Sequence, residues 1–109
     1  MRLNRRLTLE EAQRMPDGGG GFRLTWVVLG ELWAAVAAGS GRERAGEDVM
    51  LSAVAHRITV RGAPVGAPSR PRPDQRFREG GRIFRILAVS EADAAGAYLL
   101  CHALEEVAA

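Results

Sequence analysis

The single cysteine, Cys101, is the residue that most directly suggests nucleophilic chemistry, and His102 follows it in the sequence. A thiolate nucleophile needs a histidine or another base within hydrogen-bond reach. Both residues lie in an apolar run that predicts a strand, and neighbouring side chains of a strand point to opposite faces. The adjacency therefore separates nucleophile from base, and we expect Cys101 to be a small core residue.

The other residues that could do chemistry do not form a recognisable site. His56, His102 and one cysteine lack the spacing of a zinc site; we expect His56 at a strand surface or partly buried, and the pair Glu105-Glu106 solvated. The glycines at 39, 41 and 46 do not match a dinucleotide-binding loop, and a P-loop needs a lysine, which the chain lacks. We therefore predict no catalytic, cofactor-binding or metal-ligating residue and no enzymatic activity.

Arginine gives the clearest remaining chemical signal. All 15 basic residues are arginine, and guanidinium groups suit the recognition of carboxylates and phosphates. The densest group is Arg70, Arg72, Arg76, Arg78, Arg82 and Arg85. We predict that the first four face DNA or an acidic partner, held away from the domain by a proline-stiffened loop. The alternative is a solvated arginine-rich face.

The elements that must position these residues are clearest between Arg76 and Glu91. Gly80-Gly81 separates two apolar-rich runs and predicts a hairpin, because glycine adopts the positive φ that two-residue turns need. A second turn signal, Glu91 to Gly96, precedes the run Ala97 to Leu104. The last third of the chain is therefore predicted to be a three-stranded meander with Arg82 to Ser90 as its central strand.

Alternating apolar residues predict further strands in the first two thirds of the chain. They are Leu3 to Glu11, Phe22 to Leu29, Leu32 to Ala38 and Ala55 to Arg61, with a loop from Met15 to Gly21. Gly30-Glu31 is expected to break or bulge the long apolar run. The apolar sides of the strands predict a core centred on Trp26, Trp33, Ile58, Phe84, Ile86 and Leu99.

Two longer segments lack the character of a strand. Gly62 to Asp74 holds every proline except Pro16 and predicts an extended loop, because proline cannot donate to a strand ladder. Gly39 to Val54 predicts an assembly loop, with a short helix as an alternative, that becomes ordered on binding a neighbour. Its candidate contact residues are Arg42, Glu43, Arg44, Val49, Met50 and Leu51.

Length and composition set the broad class. A chain of 109 residues fits a single domain, 1–109. Six or seven short strands with at most one short helix predict an all-β fold, a small antiparallel β-barrel or sandwich with one long protruding loop. One cysteine allows no intramolecular disulfide, and we expect no signal peptide or membrane-spanning run. A net charge of +2 leaves no broad positive field.

Seven short motifs occur in a characteristic order along the chain. They are Leu3 to Leu9, the glycine turn Asp17 to Gly21 before Thr25-Trp26, Leu32 to Val36, Ser40 to Glu43, Ala55 to Arg61, Gly80 to Ile86 and Tyr98 to Cys101. Together they resemble the phage head-tail joining family, also called head closure or stopper proteins, of long-tailed phages and gene transfer agents. The resemblance covers about Leu3 to Val107.

This resemblance implies a structural role without a cofactor or a membrane partner. Family members form a ring of identical subunits, which would be a hexamer or a dodecamer, between the portal-side adaptor protein and the tail terminator protein. The ring closes the DNA-filled head and lets double-stranded DNA pass, in a virion or gene-transfer-agent particle assembled in the bacterial cytoplasm. The residues alone leave an alternative open: a small SH3-like or OB-like barrel that binds nucleic acid through the arginines from 70 to 85.

Overall fold

The computed structural model describes residues 2–39 and 53–106, and in these ranges one antiparallel sheet closes into a barrel. Its strands are β1 (Arg5–Pro16), β2 (Phe22–Ala38), β3 (Ala53–Arg61), β4 (Arg76–Glu79), β5 (Arg82–Glu91) and β6 (Tyr98–Glu106). Their order around the barrel is β1, β2, β3, β6, β5, β4. The predicted all-β barrel is confirmed. The expected assembly residues Arg42, Glu43, Arg44, Val49, Met50 and Leu51 lie outside the described residues.

The antiparallel order decides which connections share an end of the barrel. The β1–β2 turn, the β3–β4 loop and the β5–β6 turn lie at one end, called here the upper end. The β4–β5 turn lies at the opposite, lower end, together with Ala38 and Ala53, where β2 ends and β3 begins. The proline-rich loop and the tip of the β1–β2 hairpin are therefore at the same end.

The predicted C-terminal meander is present. Glu79 pairs with Arg82 across the two-residue turn, and Gly80 has a φ of 58°. A side chain at Gly80 would be strained in this left-handed conformation, which explains the glycine. β5 then pairs antiparallel with β6, as expected from the second turn signal.

The first two strands are longer than predicted and extend beyond the barrel. β1 has 12 residues and β2 has 17. β4 pairs with β1 only from Thr8 to Glu10, and β3 pairs with β2 only from Ala34 to Ala38. Residues 11–16 and 22–27 consequently pair only with each other and form a two-stranded ribbon at the upper end. The expectation of two separate strands between Phe22 and Ala38 is wrong.

A β-bulge joins the ribbon to the barrel wall. Leu9 pairs with Gly30 and Glu10 pairs with Val28, which leaves Leu29 as the extra residue of β2. The predicted irregularity at Gly30-Glu31 is thus a bulge within one strand. An extra residue shifts the alternation of faces, so the even-numbered residues of the ribbon and the odd-numbered Trp33 lie on the same, outer side.

The core fills the barrel interior. Its buried residues are Leu7, Leu9, Ala34, Ile58, Val60, Phe77, Phe84, Ile86, Leu99, Cys101 and Ala103. Ile58, Phe84, Ile86 and Leu99 were predicted there and are confirmed. The prediction is wrong for the two tryptophans: Trp33 is 53% exposed and Trp26 is half-buried, because both lie on the outer side of β2.

Candidate functional site

Cys101 and His102 point to opposite sides of β6, as their adjacency predicts. Cys101 is buried in the core and His102 is exposed. Burial raises the pKa of the Cys101 thiol to about 12, so the thiol is protonated at neutral pH and is a poor nucleophile. Within residues 2–39 and 53–106, no group of three or more His, Cys, Asp or Glu side chains could hold a metal ion.

In the described part of the chain, no helix has the length and hydropathy needed to cross a membrane.

Two of the four predicted arginines are held on the outer wall by one glutamate. The Glu10 carboxylate is buried and accepts hydrogen bonds from Nε of Arg76 at 2.7 Å and from Nε of Arg78 at 2.8 Å. The Arg76 guanidinium also lies 3.9 Å from the ring centre of Trp26. Burial raises the pKa of Glu10, but the hydrogen bonds and charges of the two arginines outweigh it and leave the pKa below its ordinary value.

The next residue of β1 holds the third arginine. Glu11 accepts a hydrogen bond from the guanidinium of Arg72 at 2.6 Å and one from the amide of Gln75 at 3.1 Å. Neighbouring residues of a strand face opposite ways. Glu10 and Glu11 therefore accept hydrogen bonds from different side chains. β1 therefore fastens both the β4 arginines and the end of the β3–β4 loop to the barrel.

The β3–β4 loop is folded by its own turns and is not extended as predicted. The backbone N–H of Ala67 donates to Pro64, that of Arg70 donates to Ala67, and Pro71 is buried. The Arg70 guanidinium donates to the carbonyl of Ala63 at 2.9 Å.

The expectation that proline holds all four guanidinium groups away from the domain is wrong for two of them. Arg70 is turned into its own loop, and the Arg76 side chain is only 17% exposed. Arg72 and Arg78 keep more solvent contact, with side chains 64% and 40% exposed. These two are the more exposed members of the group, and each pairs with a glutamate of β1.

A chain of ion pairs crosses the lower end of the barrel. Arg5 pairs with Glu79, and Arg82 donates two hydrogen bonds to Glu105, at 2.7 and 3.0 Å. Nε2 of His56 lies 3.5 Å from Glu105. The hydrogen bonds from Arg5 and Arg82 lower the pKa of Glu79 and of Glu105, respectively.

These contacts correct two expectations about the lower end. Glu105 is half-buried and paired, not solvated. His56 is only 7% exposed, and its ring is nearly perpendicular to that of Phe84, with 5.2 Å between ring centres. His56 is therefore a packed side chain that lies beside Glu105, a member of the ion pairs at the lower end.

The outer side of β2 presents several exposed apolar side chains, called here the outer ribbon face. Its members are Phe22, Leu24, Trp26, Val28 and Trp33. Four of them are more than half exposed, at 59% for Phe22, 61% for Leu24, 55% for Val28 and 53% for Trp33. Exposed apolar surface of this kind marks interaction sites. Alternation predicts that the first four share one face, but the prediction that this face belongs to the core is wrong.

Arginine side chains lie over the aromatic rings of the outer ribbon face. The guanidinium of Arg14 is 4.5 Å from the ring centre of Phe22, and that of Arg6 is 5.7 Å from the ring centre of Trp33. A guanidinium over an aromatic ring is attracted by the ring's quadrupole. The face therefore combines apolar contact area with positive charge.

Comparison with known proteins agrees with this architecture. A family model described as phage head completion protein matches residues 1–107. A chain from the virion of a native gene transfer agent particle is 65% identical, and the match covers 100% of this chain and 99% of that chain with a TM-score of 0.83. A Shigella flexneri 2a protein solved in solution is 24% identical over 95% of this chain and 93% of that one, with a TM-score of 0.67. The latter shows a shared fold alone. No curated protein sequence matches this chain.

The family match spans nearly the whole chain, including all of the described strands. It confirms the resemblance carried by the seven ordered motifs. The chain belongs to the phage head completion protein family.

Proposed function

We propose that this chain is a structural head completion subunit at the junction of head and tail in a gene transfer agent or phage particle. The observation that carries the proposal is 65% identity, over the full length, to a chain of a gene transfer agent virion. In this role, copies of the chain form a ring between a portal-side adaptor and the tail terminator. The ring closes the filled head and leaves a central path for double-stranded DNA.

The site geometry supports a structural role over a catalytic one. The Cys101 thiol is buried and protonated, and the ion pairs of Glu10 and Glu105 hold strands and loops together. The exposed outer ribbon face gives the subunit a surface for protein contacts. The segment that carries Arg42, Glu43, Arg44, Val49, Met50 and Leu51 remains a prediction of further assembly contacts.

The ion pairs also favour assembly over the alternative of a small nucleic-acid-binding barrel. Glu10 pairs with both Arg76 and Arg78, and Glu11 pairs with Arg72. A free guanidinium binds phosphate strongly, whereas one already paired with carboxylate must first give up that partner. The isolated subunit is expected to bind duplex DNA weakly.

Deletion of the gene in a producing strain tests the proposed function. We expect DNA-filled heads and separate tails by electron microscopy, with gene transfer or infection reduced to background. Supplying the wild-type chain from a plasmid should restore joined particles. Normal tailed particles at wild-type yield from the deletion strain would contradict the proposal.

The two more exposed arginines are proposed to face passing DNA or an acidic partner. The double substitution Arg72→Gln and Arg78→Gln is expected to leave folding intact. The Arg72 pair is exposed and contributes only about 0–1 kcal/mol, and the Glu10 carboxylate keeps its hydrogen bond from Arg76 when Arg78 is replaced. Head-tail joining or DNA retention is expected to fall. Arg70 and Arg76 are kept, because their guanidinium groups are held within the domain.

The matched control for the arginine pair is Arg57→Gln with Arg61→Gln. Both are exposed arginines on β3, outside the predicted set. Particle yield, nuclease-resistant DNA and transfer frequency are measured for both double variants after their melting temperatures are compared. Wild-type values for Arg72→Gln/Arg78→Gln would show that these arginines form only a solvated face.

A further inference from the structure

A second exposed apolar area lies on β5 and the turn that follows it. Leu87 is 45% exposed, and a β-bulge between Ile86 and Ala88 places it out of the ladder. The neighbouring exposed alanines are Ala88, Ala92, Ala94 and Ala95. We call this area the β5 side. It is smaller than the outer ribbon face and consists mainly of small side chains into which larger ones can fit.

The two apolar areas lie on opposite walls of the barrel. In the closed order β1, β2, β3, β6, β5, β4, two strands separate β2 from β5 in either direction. Surfaces on opposite walls cannot cover each other within one subunit. Among the described residues, neither area is covered by the other, so each is open to contact with another molecule.

The strand register also puts the two areas at the same height. Through β1 and β4, Val28 is linked to Arg85 by the pairs Val28–Glu10, Glu10–Arg76 and Arg76–Arg85. Through β3 and β6, Ala34 is linked to Glu91 by Ala34–Val60, Val60–Leu99 and Leu99–Glu91. β2 and β5 run in opposite directions, so the two paths together bracket one range of height. Segment 28–34 of β2 as a whole therefore lies level with segment 85–91 of β5. The protruding part of the ribbon is level with the β5–β6 turn or above it.

Arg14 on the ribbon and the two carboxylates Glu91 and Asp93 beside the β5 side carry opposite charges. Arg14 lies over Phe22 on the ribbon and has no carboxylate partner among the residues the structure describes. Glu91 and Asp93 border the β5 side, and within the same described ranges neither pairs with a guanidinium. A neighbour placed against the ribbon could supply the missing carboxylates.

From this placement we infer that the outer ribbon face of one copy packs against the β5 side of the next copy. The inference rests on the proposed ring and names its subunit interface. Two different surfaces on opposite walls form a head-to-tail contact, which closes into a ring when the rotation between subunits allows it. Val28 and Trp33 would pack against Leu87 and Ala88, and the ribbon tip would reach the acidic β5–β6 turn.

Cysteine cross-linking within purified particles tests this interface. The chain's own Cys101 is buried and protonated, so introduced surface cysteines provide the reactive thiols. The variant Val28→Cys with Leu87→Cys is expected to give a ladder of linked copies with a short bis-maleimide. Each single variant is expected to give no linked dimer.

The matched control is Val28→Cys with Arg57→Cys, whose second cysteine lies on the exposed side of β3. It should give no ladder. A dimer from Val28→Cys alone would indicate that the outer ribbon faces of two copies contact each other. A cross-link from Val28→Cys to another particle protein would show that this protein, and not a second copy, contacts the outer ribbon face. Either result overturns the inference, as does the lack of a ladder in particles that contain the double variant.

Failure of the interface is distinguishable from failure of the proposed function. If the wild-type chain, detected by antibody, is absent from purified particles, the proposed function itself fails and the interface fails with it. If the chain is present but the Val28→Cys/Leu87→Cys variant gives no ladder, only the interface is wrong.

Discussion

Replacing Phe84 by alanine is expected to lower the free energy of unfolding by about 3–5 kcal/mol, the usual cost of removing a buried phenylalanine side chain. Phe84 is 0% exposed. It pairs with Phe77 across the β4–β5 hairpin and contacts the edge of His56. Truncation would leave a cavity in the centre of the barrel. Urea unfolding followed by circular dichroism measures the loss.

The matched control is Phe22→Ala. It removes the same atoms from a side chain that is 59% exposed on the ribbon, so the isolated subunit should change by no more than about 0.5 kcal/mol. Equal losses for the two variants would show that Phe84 is not a core residue. A large loss for Phe22→Ala alone would reverse the assignment of the inner and outer faces.

Glu10→Gln is the second substitution with a large expected effect. It removes the negative charge that faces Arg76 and Arg78 while keeping the size of the side chain. Because the Arg76 side chain is only 17% exposed, its charge would be left poorly compensated. We expect a loss of about 3 kcal/mol, the lower end of the range for a broken buried ion pair, since Arg78 regains water contact.

Glu31→Gln is the control for Glu10→Gln. Glu31 lies 3.6 Å from Arg6, and the two side chains are 57% and 61% exposed. An exposed pair of this kind contributes less than about 1 kcal/mol. Thermal or urea unfolding of the two variants should therefore differ clearly. Similar stability for both would show that the ion pairs of Glu10 with Arg76 and Arg78 contribute little to folding.

Acid dependence gives an independent readout of the same carboxylate. The pKa of Glu10 in the folded chain lies below the ordinary value of 4.5, which applies to the unfolded chain. At a pH between the folded and the unfolded pKa, Glu10 therefore binds more protons in the unfolded chain than in the folded one. The stabilisation by Glu10 is therefore full above pH 4.5 and is lost as the pH falls through the folded pKa. Glu11, Glu79 and Glu105 shift in the same direction. The free energy of unfolding of Glu10→Gln should fall less steeply with decreasing pH than that of wild type. Parallel plots of unfolding free energy against pH would contradict a stabilising role for the Glu10 ion pairs.

Local sequence signals were sufficient for much of the barrel. Gly80-Gly81 predicted the β4–β5 turn because its conformation depends on the two residues themselves. Ile58, Phe84 and Ile86 were assigned to the core correctly, since charged residues alternate with them on β3 and β5. In such strands the polar residues identify the solvent side.

The predicted core positions of Trp26 and Trp33 are wrong. Alternation shows which residues share a face, but it does not show which face is inside when both carry apolar side chains. The bulge at Leu29 then changes the alternation between the two tryptophans. β2 has 17 residues, but β3 pairs with only five of them, so β2 extends beyond the barrel. No local sequence signal predicts how many residues of two strands pair.

The environment of the arginines depends on contacts distant in sequence. Arg76 and Arg78 are 66 and 68 residues from Glu10, and the sequence alone did not pair them. His56 is likewise packed near Glu105, on a strand from the other end of the chain. A cluster of arginines in the sequence therefore became a set of interstrand ion pairs in the fold.

An electron-microscopic reconstruction of the neck of purified particles would locate the chain within the particle. We expect copies of this barrel repeated around the tail axis between head and tail, with β2 of each copy against β5 of the next. A chain found on the capsid surface or at the tail tip, or absent from the particle, would overturn the proposed head completion role.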